Sequence, residues 1–253
     1  MSEQQQTLWI YGVVPAGSDL EHLAGRKDLP EVSVIELEDL GVLVGPAPDD
    51  QNEKLSEQAL WHAQVLEAAV LDAPVIPIAL GAVVDGGDEA VSEQLLKDHH
   101  DELEAYLQAL SDHVQMTLRV SYEQDSLLSE IVESDPAIAE LAQRTQGAGE
   151  VEGRADRVHL GELISAAVAR HREQDAELIV SRLRSHASRV AEDELQEDFM
   201  VLNAPFLVPR DSLDEFESAV EQLASDCLGR MRFVLHGPMP AYSFLDAQEP
   251  AWA

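Results

Sequence analysis

The sequence predicts an α+β chain, with a ferredoxin-like N-terminal domain over residues 1–122 and a second α+β domain, carrying a long helical segment, over 123–253. Three observations predict it. Residues 7–122 alternate between strand-like runs and helix-period runs, in the order strand, hairpin, helix, extended segment, helix, strand. Residues 123–196 carry helical spacing almost throughout. Residues 198–246 then close the chain as strand, helix and strand.

Each element has its own local reason. "TLWIYGVVPAG" (7–17) is rich in β-branched and aromatic residues and stops at Pro and Gly, which marks a first strand. "EVSVIELEDLGVLVGPAP" (31–48) holds two short strands, near 32–37 and 40–44, turned at Asp39. Leu60, Val65, Leu66, Ala69 and Val70 follow at helical spacing, with Ser56 ahead of them as a candidate N-cap. "PVIPIALGAVV" (74–84) has two prolines and a glycine, so it is an edge strand or an extended segment, turning at "DGGD". Val91, Leu95, Leu96, His99, Leu103, Tyr106, Leu107 and Leu110 predict one amphipathic helix, and "HVQMTLRVSY" (113–122) alternates like a strand with one buried face.

In the second half, Asp135 is placed to cap a helix whose first residue is Pro136, where a missing amide proton costs nothing. Leu163, Ala167 and His171, then Ile179, Leu183, His186 and Val190, extend helical spacing over 158–195, which predicts a protruding helix or a helical hairpin. A strand near 199–208 precedes a helix capped by Asp211 or Ser212, with Leu213, Phe216, Val220 and Leu223 facing inward. "MRFVLHG" (231–237) is the last strand. A unit this small buries its faces only by completing a larger sheet.

Charge narrows the function classes. Of 253 residues, 49 are Asp or Glu and 16 are Lys or Arg, a formal net charge of -33. Such a chain repels nucleic acid and anionic bilayers, and no run is long and apolar enough for a membrane span. Its start, "MSEQQQT", lacks the basic and apolar regions of a signal peptide, so the expected location is cytoplasmic. Residues 144–189 depart from the acidic background, holding 8 arginines against 7 acids. Arg170, Arg182, Arg184 and Arg189 are therefore candidate contacts of a helical arm, either paired along a solvated helix or facing an acidic partner.

Catalytic patterns are thin. Cys227 is the single cysteine, which excludes an internal disulfide, and it is expected as a small buried residue on a helix. There is no phosphate-binding Gly-rich loop ending in Lys and Ser or Thr, no G-x-S-x-G elbow, and "GAGEVEG" (147–153) follows no clear strand. His99 and His100 point about 100° apart on a helix, and His171 and His186 would stand about 22 Å apart on a continuous one, so neither pair makes a metal site. No cofactor, metal or catalytic residue is assigned.

The end of the chain is unusually well specified. "RFVLHGPMPAYSFLD" (232–246) runs from a strand into Gly237, Pro238 and Pro240, then the aromatic pair Tyr242 and Phe244. Gly237 is free to take a backbone shape closed to other residues, the prolines stiffen the exit, and the aromatics can fold back as an apolar latch. The other reading makes Tyr242 and Phe244 part of a groove for a partner.

Together, "LWIYGVV", the His62–Glu67 "H-x-x-V-L-E", "PVIPIALGAVV", "VQMTLRV", "NAPFLVPRDSLDEFESAVEQL" and "GPMPAYSFLD" resemble the gas vesicle protein F and L family, over most of the chain except about 123–197. The family's terminal element is Gly-Pro-x-Pro-Pro-Tyr-x-Phe, where this chain has Ala241 for the third proline and Met239 between the first two; Ala79-Leu80-Gly81 stands for its Arg-Phe-Gly. The resemblance implies two α+β domains and a non-enzymatic, chaperone-like accessory or minor structural protein of gas vesicle assembly. It implies contact with the small, aggregation-prone shell protein and with other vesicle accessory proteins. The alternative is a ferredoxin-like small-molecule-binding protein or enzyme, for which Trp9, Tyr11, Arg119 and Tyr122 are the polar candidates.

Overall fold

The first apolar run forms β1 (Thr7–Pro15), buried along seven successive residues because it is the inner strand of a sheet covered on both faces. The computed structural model describes residues 7–20, 23, 26, 29–47, 55–147, 149 and 153–245. β1 pairs antiparallel with β3 (Leu40–Pro46) on one side and with β4 (Ile76–Pro77) and β5 (Val83–Asp85) on the other, and β2 (Ser33–Leu37) closes the order β2-β3-β1-β4. β2 and β3 are the expected hairpin, turned at Glu38 and Asp39, with Glu38 at a φ of 56°. Between β1 and β2, the described residues include Leu23, in a 3-10 turn and fully buried.

Helix α1 (Leu55–Ala69) begins at Leu55, so Ser56 lies inside its first turn instead of capping it. Its far end is finished from a distance: the Arg210 guanidinium donates to the carbonyls of Val70 at 2.7 Å, Ala73 at 3.0 Å and Leu71 at 3.3 Å. These carbonyls belong to the turn that follows the helix, so Arg210 fixes the chain where it leaves α1.

The single helix expected over 89–110 is broken into α2 (Gly87–Val91), a π-helical turn (Ser92–Lys97) and α3 (His100–Leu110). The wide turn lets Val91, Leu95, Leu96, Leu103 and Leu107 all enter one core with Ile10, Val13, Val42 and Ile76. A straight α-helix of that length would have rotated some of them out.

β6 (His113–Tyr122) is buried continuously from Val114 to Leu118, not on alternate residues, so the expectation of one covered face understated its burial. It pairs with β8 (Met200–Pro209) and β9 (Met231–Met239) in a sheet of order β7-β8-β6-β9, where β7 is Arg189–Val190.

Helices α4 (Gln124–Ser134), α5 (Pro136–Gly147) and α6 (Arg154–Leu183) fill the middle of the chain. Asp135 caps α5 as expected, its Oδ1 accepting from the amides of Ala137 at 2.9 Å and Ile138 at 3.3 Å. The "GAGEVEG" stretch falls largely outside the described residues. α7 (Leu213–Asp226) buries Phe216, Val220 and Leu223, and the Phe216 ring meets Phe206 at 5.2 Å between centroids. Ser212 occupies the cap position of α7 without a side-chain cap bond, and Cys227 ends that helix half-buried, not inside it.

The chain divides into two compact units, residues 1–116, 207–211 and 237–253 in one, and 117–206 and 212–236 in the other. The expected boundary at 122/123 keeps the closing segment with the second domain; the observed division gives it to the first unit.

Candidate functional site

The closing motif is built from the sheet outward. β9 runs two residues beyond Gly237, whose φ is 132° and whose peptide bond to Pro238 is cis. A Cβ at this position would lie 2.7 Å from Met116 Sδ and 2.8 Å from the Gln115 carbonyl oxygen, so both conformation and space require glycine. Past Pro240, Tyr242–Phe244 form a short 3-10 turn. Gln115, buried in β6, reads the turn: its Oε1 accepts from the Ser243 amide at 2.9 Å, and its Nε2 donates to Met239 Sδ at 3.7 Å.

The two aromatics part company here. Phe244 is 6% exposed, and Leu245 packs on the core that holds Ile10 and Leu103. Tyr242 keeps 45% of its surface open, although burial of its hydroxyl, and then the Glu67 carboxylate, push its pKa up to about 12. Phe244 thus has the geometry of a latch, and Tyr242 is the aromatic left open to solvent.

The arginines of the expected arm are not all on one helix. α6 ends at Leu183, which is fully buried; Arg184 lies in the 3-10 turn that follows and Arg189 in β7. The helix stops here because the next residues are drawn into strand pairing with β8. His186 therefore also lies beyond α6. Arg170 is exposed on α6 with no ion pair among the described residues, whereas Arg182 donates to Asp226 Oδ2 at 3.2 Å.

One polar cluster escaped the sequence reading. The Arg230 guanidinium donates through Nε to Glu130 Oε2 at 2.8 Å and through Nη2 to Asp175 Oδ2 at 2.8 Å. The Tyr122 hydroxyl donates to the same Asp175 oxygen at 2.5 Å, and Arg230 lies 5.5 Å from the Tyr122 ring centroid. Burial alone lowers the pKa of Arg230; the bonds to Asp175 and Glu130 outweigh it and hold it above its ordinary value. Tyr122 is raised far above its usual range, by burial first and the Asp175 bond second. Four distant segments are clamped by these residues, which a local pattern does not reveal.

Two histidines complete the polar inventory. His62, buried on α1, accepts at Nδ1 from the Trp9 indole N–H at 3.1 Å and faces the Ile78 carbonyl through Nε2 at 3.0 Å. Since indole only donates and a carbonyl only accepts, the ring is neutral with its proton on Nε2; burial lowers its pKa. His100 does the opposite at the surface, raised first by its hydrogen bond to Asp39 Oδ1 at 2.7 Å. Glu38, Asp39 and His100 hold ligand-type atoms within 4.8 Å of one another, both carboxylates being exposed. Trp9 and Tyr11, two of the polar candidates of the small-molecule reading, are buried against His62.

No helix among the described residues is long and apolar enough to cross a membrane. The sequence profile described as gas vesicle synthesis protein GvpL/GvpF matches residues 7–246. Among similar proteins, gas vesicle protein F of Streptomyces sp. (strain CB03234) is 28% identical, over 94% of this chain and 99% of its own. Gas vesicle protein F of Microcystis aeruginosa (strain PCC 7806) is 24% identical, over 94% and 97%. The crystal structure of GvpF from Anabaena sp. PCC7120 superposes with a TM-score of 0.77 at 20% identity, covering 94% of this chain and 98% of that one. That of GvpF from Microcystis aeruginosa gives 0.72 at 23%, with the same coverage. The profile match from the first strand through the closing motif and the shared α+β fold lead to one conclusion: this chain belongs to the GvpL/GvpF family of gas vesicle synthesis proteins.

Proposed function

We propose that the protein is a non-enzymatic accessory factor of gas vesicle assembly that acts in the cytoplasm by binding the small shell protein, and other vesicle proteins, before the wall forms. The observation that carries this reading is the family match over residues 7–246. Physical chemistry supports it. A subunit destined for a protein wall exposes apolar surface and strand edges until it is built in. A binder with net charge -33 keeps such a complex soluble by self-repulsion.

The contact surfaces proposed for this role are the exposed side of α6 around Arg170 and Arg182, with Arg184 just past its end and Arg189 in β7, and the open Tyr242 ring of the closing motif. The test is co-expression with the small gas vesicle shell protein, followed by pull-down and size exclusion. A soluble complex that Arg170→Glu weakens is the expected result. A shell protein that stays insoluble and is not retained would refute the binding role.

A further inference from the structure

One groove lies outside the surfaces discussed so far. Its floor is the side of α6 bearing Gly161, Ile164, Val168 and Arg172, and its facing wall is the segment that joins β7 to β8. Two adjoining cavities, of about 400 and 240 Å³, share Ala169 and Arg172 and run from Gly161 to Ala176. At 1.5 Å per residue that is about 22 Å, four turns of a helix.

The wall is fixed at both ends. The Asp193 amide donates to the Asn203 carbonyl at 2.9 Å and Asn203 Nδ2 to the Glu194 carbonyl at 3.4 Å, which extends the β8 pairing. At the other end the Arg172 guanidinium donates to the Asp198 carbonyl, and its buried Nε has no partner among the described residues. The groove is therefore a formed feature.

Its chemistry is two-sided. Ile164, Val168 and the half-buried Phe199 line the bottom, and Leu195 stands 41% exposed on the rim. Along that rim Glu192, Asp193, Glu194, Glu197 and Asp198 are all exposed, and no ion pair reaches any of them among the described residues. Arg172 is the cation beside this apolar floor, and its Nη2 donates to the wall, while Arg119 donates to Asn203 Oδ1 at 3.4 Å.

We infer that this groove is the docking site of a cationic amphipathic helix from a partner protein. The apolar face of such a helix would cover Ile164, Val168, Phe199 and Leu195, and its Lys or Arg residues would meet the carboxylates of the rim. Charge complementarity selects this occupant. An acidic helix, or a second copy at -33, would set like charge against the rim.

The inference does not rest on the vesicle reading, and its test contains no vesicle component. The probe is a labelled Leu/Lys peptide of about 18 residues with segregated faces, titrated into the full chain and read by fluorescence anisotropy. Comparators are a scrambled peptide of the same composition and a Leu/Glu peptide. Ala169→Trp fills the groove without changing charge, and Ser165→Trp does the same at a second exposed position. Glu192→Lys with Asp193→Lys reverses the rim, and Glu217→Lys with Glu221→Lys on α7 makes the same charge change elsewhere. Melting curves confirm that each variant folds.

The expected result is binding of the segregated cationic peptide, weakened about tenfold by either Trp variant and by the rim reversal, and less than about twofold by the α7 reversal. Equal binding of the scrambled peptide, tight binding to the Trp variants, or preference for the Leu/Glu peptide would overturn it.

Discussion

At the scale of single residues, His62 and His100 titrate in opposite directions. His62 is held neutral, so its contribution to stability is complete above the unfolded value near 6.5 and is lost as pH falls through and below it. His100 is raised by Asp39, so its contribution is complete below about 6.5 and is lost as pH rises through the higher folded value. Proton NMR titration of the two imidazoles should place His62 below and His100 above the ordinary histidine range. His62→Gln should flatten the acid limb of the stability curve by up to about 1.4 kcal/mol per pH unit, and an unchanged limb would show that His62 is not the group lost there. A second residue, Gly237, sits where neither φ nor space admits a side chain. Gly237→Ala should cost about 1–3 kcal/mol in urea unfolding. The sequence showed Gly237 as a special position because glycine between a strand and two prolines has few other uses; it did not show Gln115, whose role depends on residues more than a hundred positions later.

At the scale of elements, the closing motif and the Arg230 clamp make separable predictions. Truncation after Gly237 should abolish the cooperative melting of the first unit, and Phe244→Ala should cost about 3 kcal/mol. A truncated chain that folds normally but no longer retains a partner would reassign the motif to binding. In the clamp, Tyr122→Phe should cost about 1 kcal/mol by removing one bond to Asp175. Arg230→Met should cost about 1–3 kcal/mol, less than for a fully buried pair because Glu130 is 38% exposed. Elements with a local cause were legible: the Leu37–Leu40 hairpin, the Asp135 cap and the strand at 113–122 all follow from neighbours in sequence. Those set by distant contacts were not. The helix over 89–110 had the right apolar positions, but its π-helical turn answers the shape of the core it enters. The arm past Leu183 had helical spacing too, and pairing with β8 overrode it.

At the scale of the whole molecule, the charge of -33 acts on every state of the chain. Self-repulsion is strongest in the compact state, and molar salt shortens its range to about 3 Å. The melting temperature should therefore rise from low to molar salt; an unchanged value would show that the carboxylates are spaced widely enough not to matter. The α+β class was readable from the order of periodicities, whereas the assignment of 207–211 and 237–253 to the first unit was not, because composition does not record which unit a returning segment joins. That return has a consequence in time. Arg210 ties down the turn that follows α1, and Leu245 packs on a core laid down by Ile10. During synthesis on the ribosome, the first unit therefore stays open until Leu245 has been made, long after β1 has left the exit tunnel.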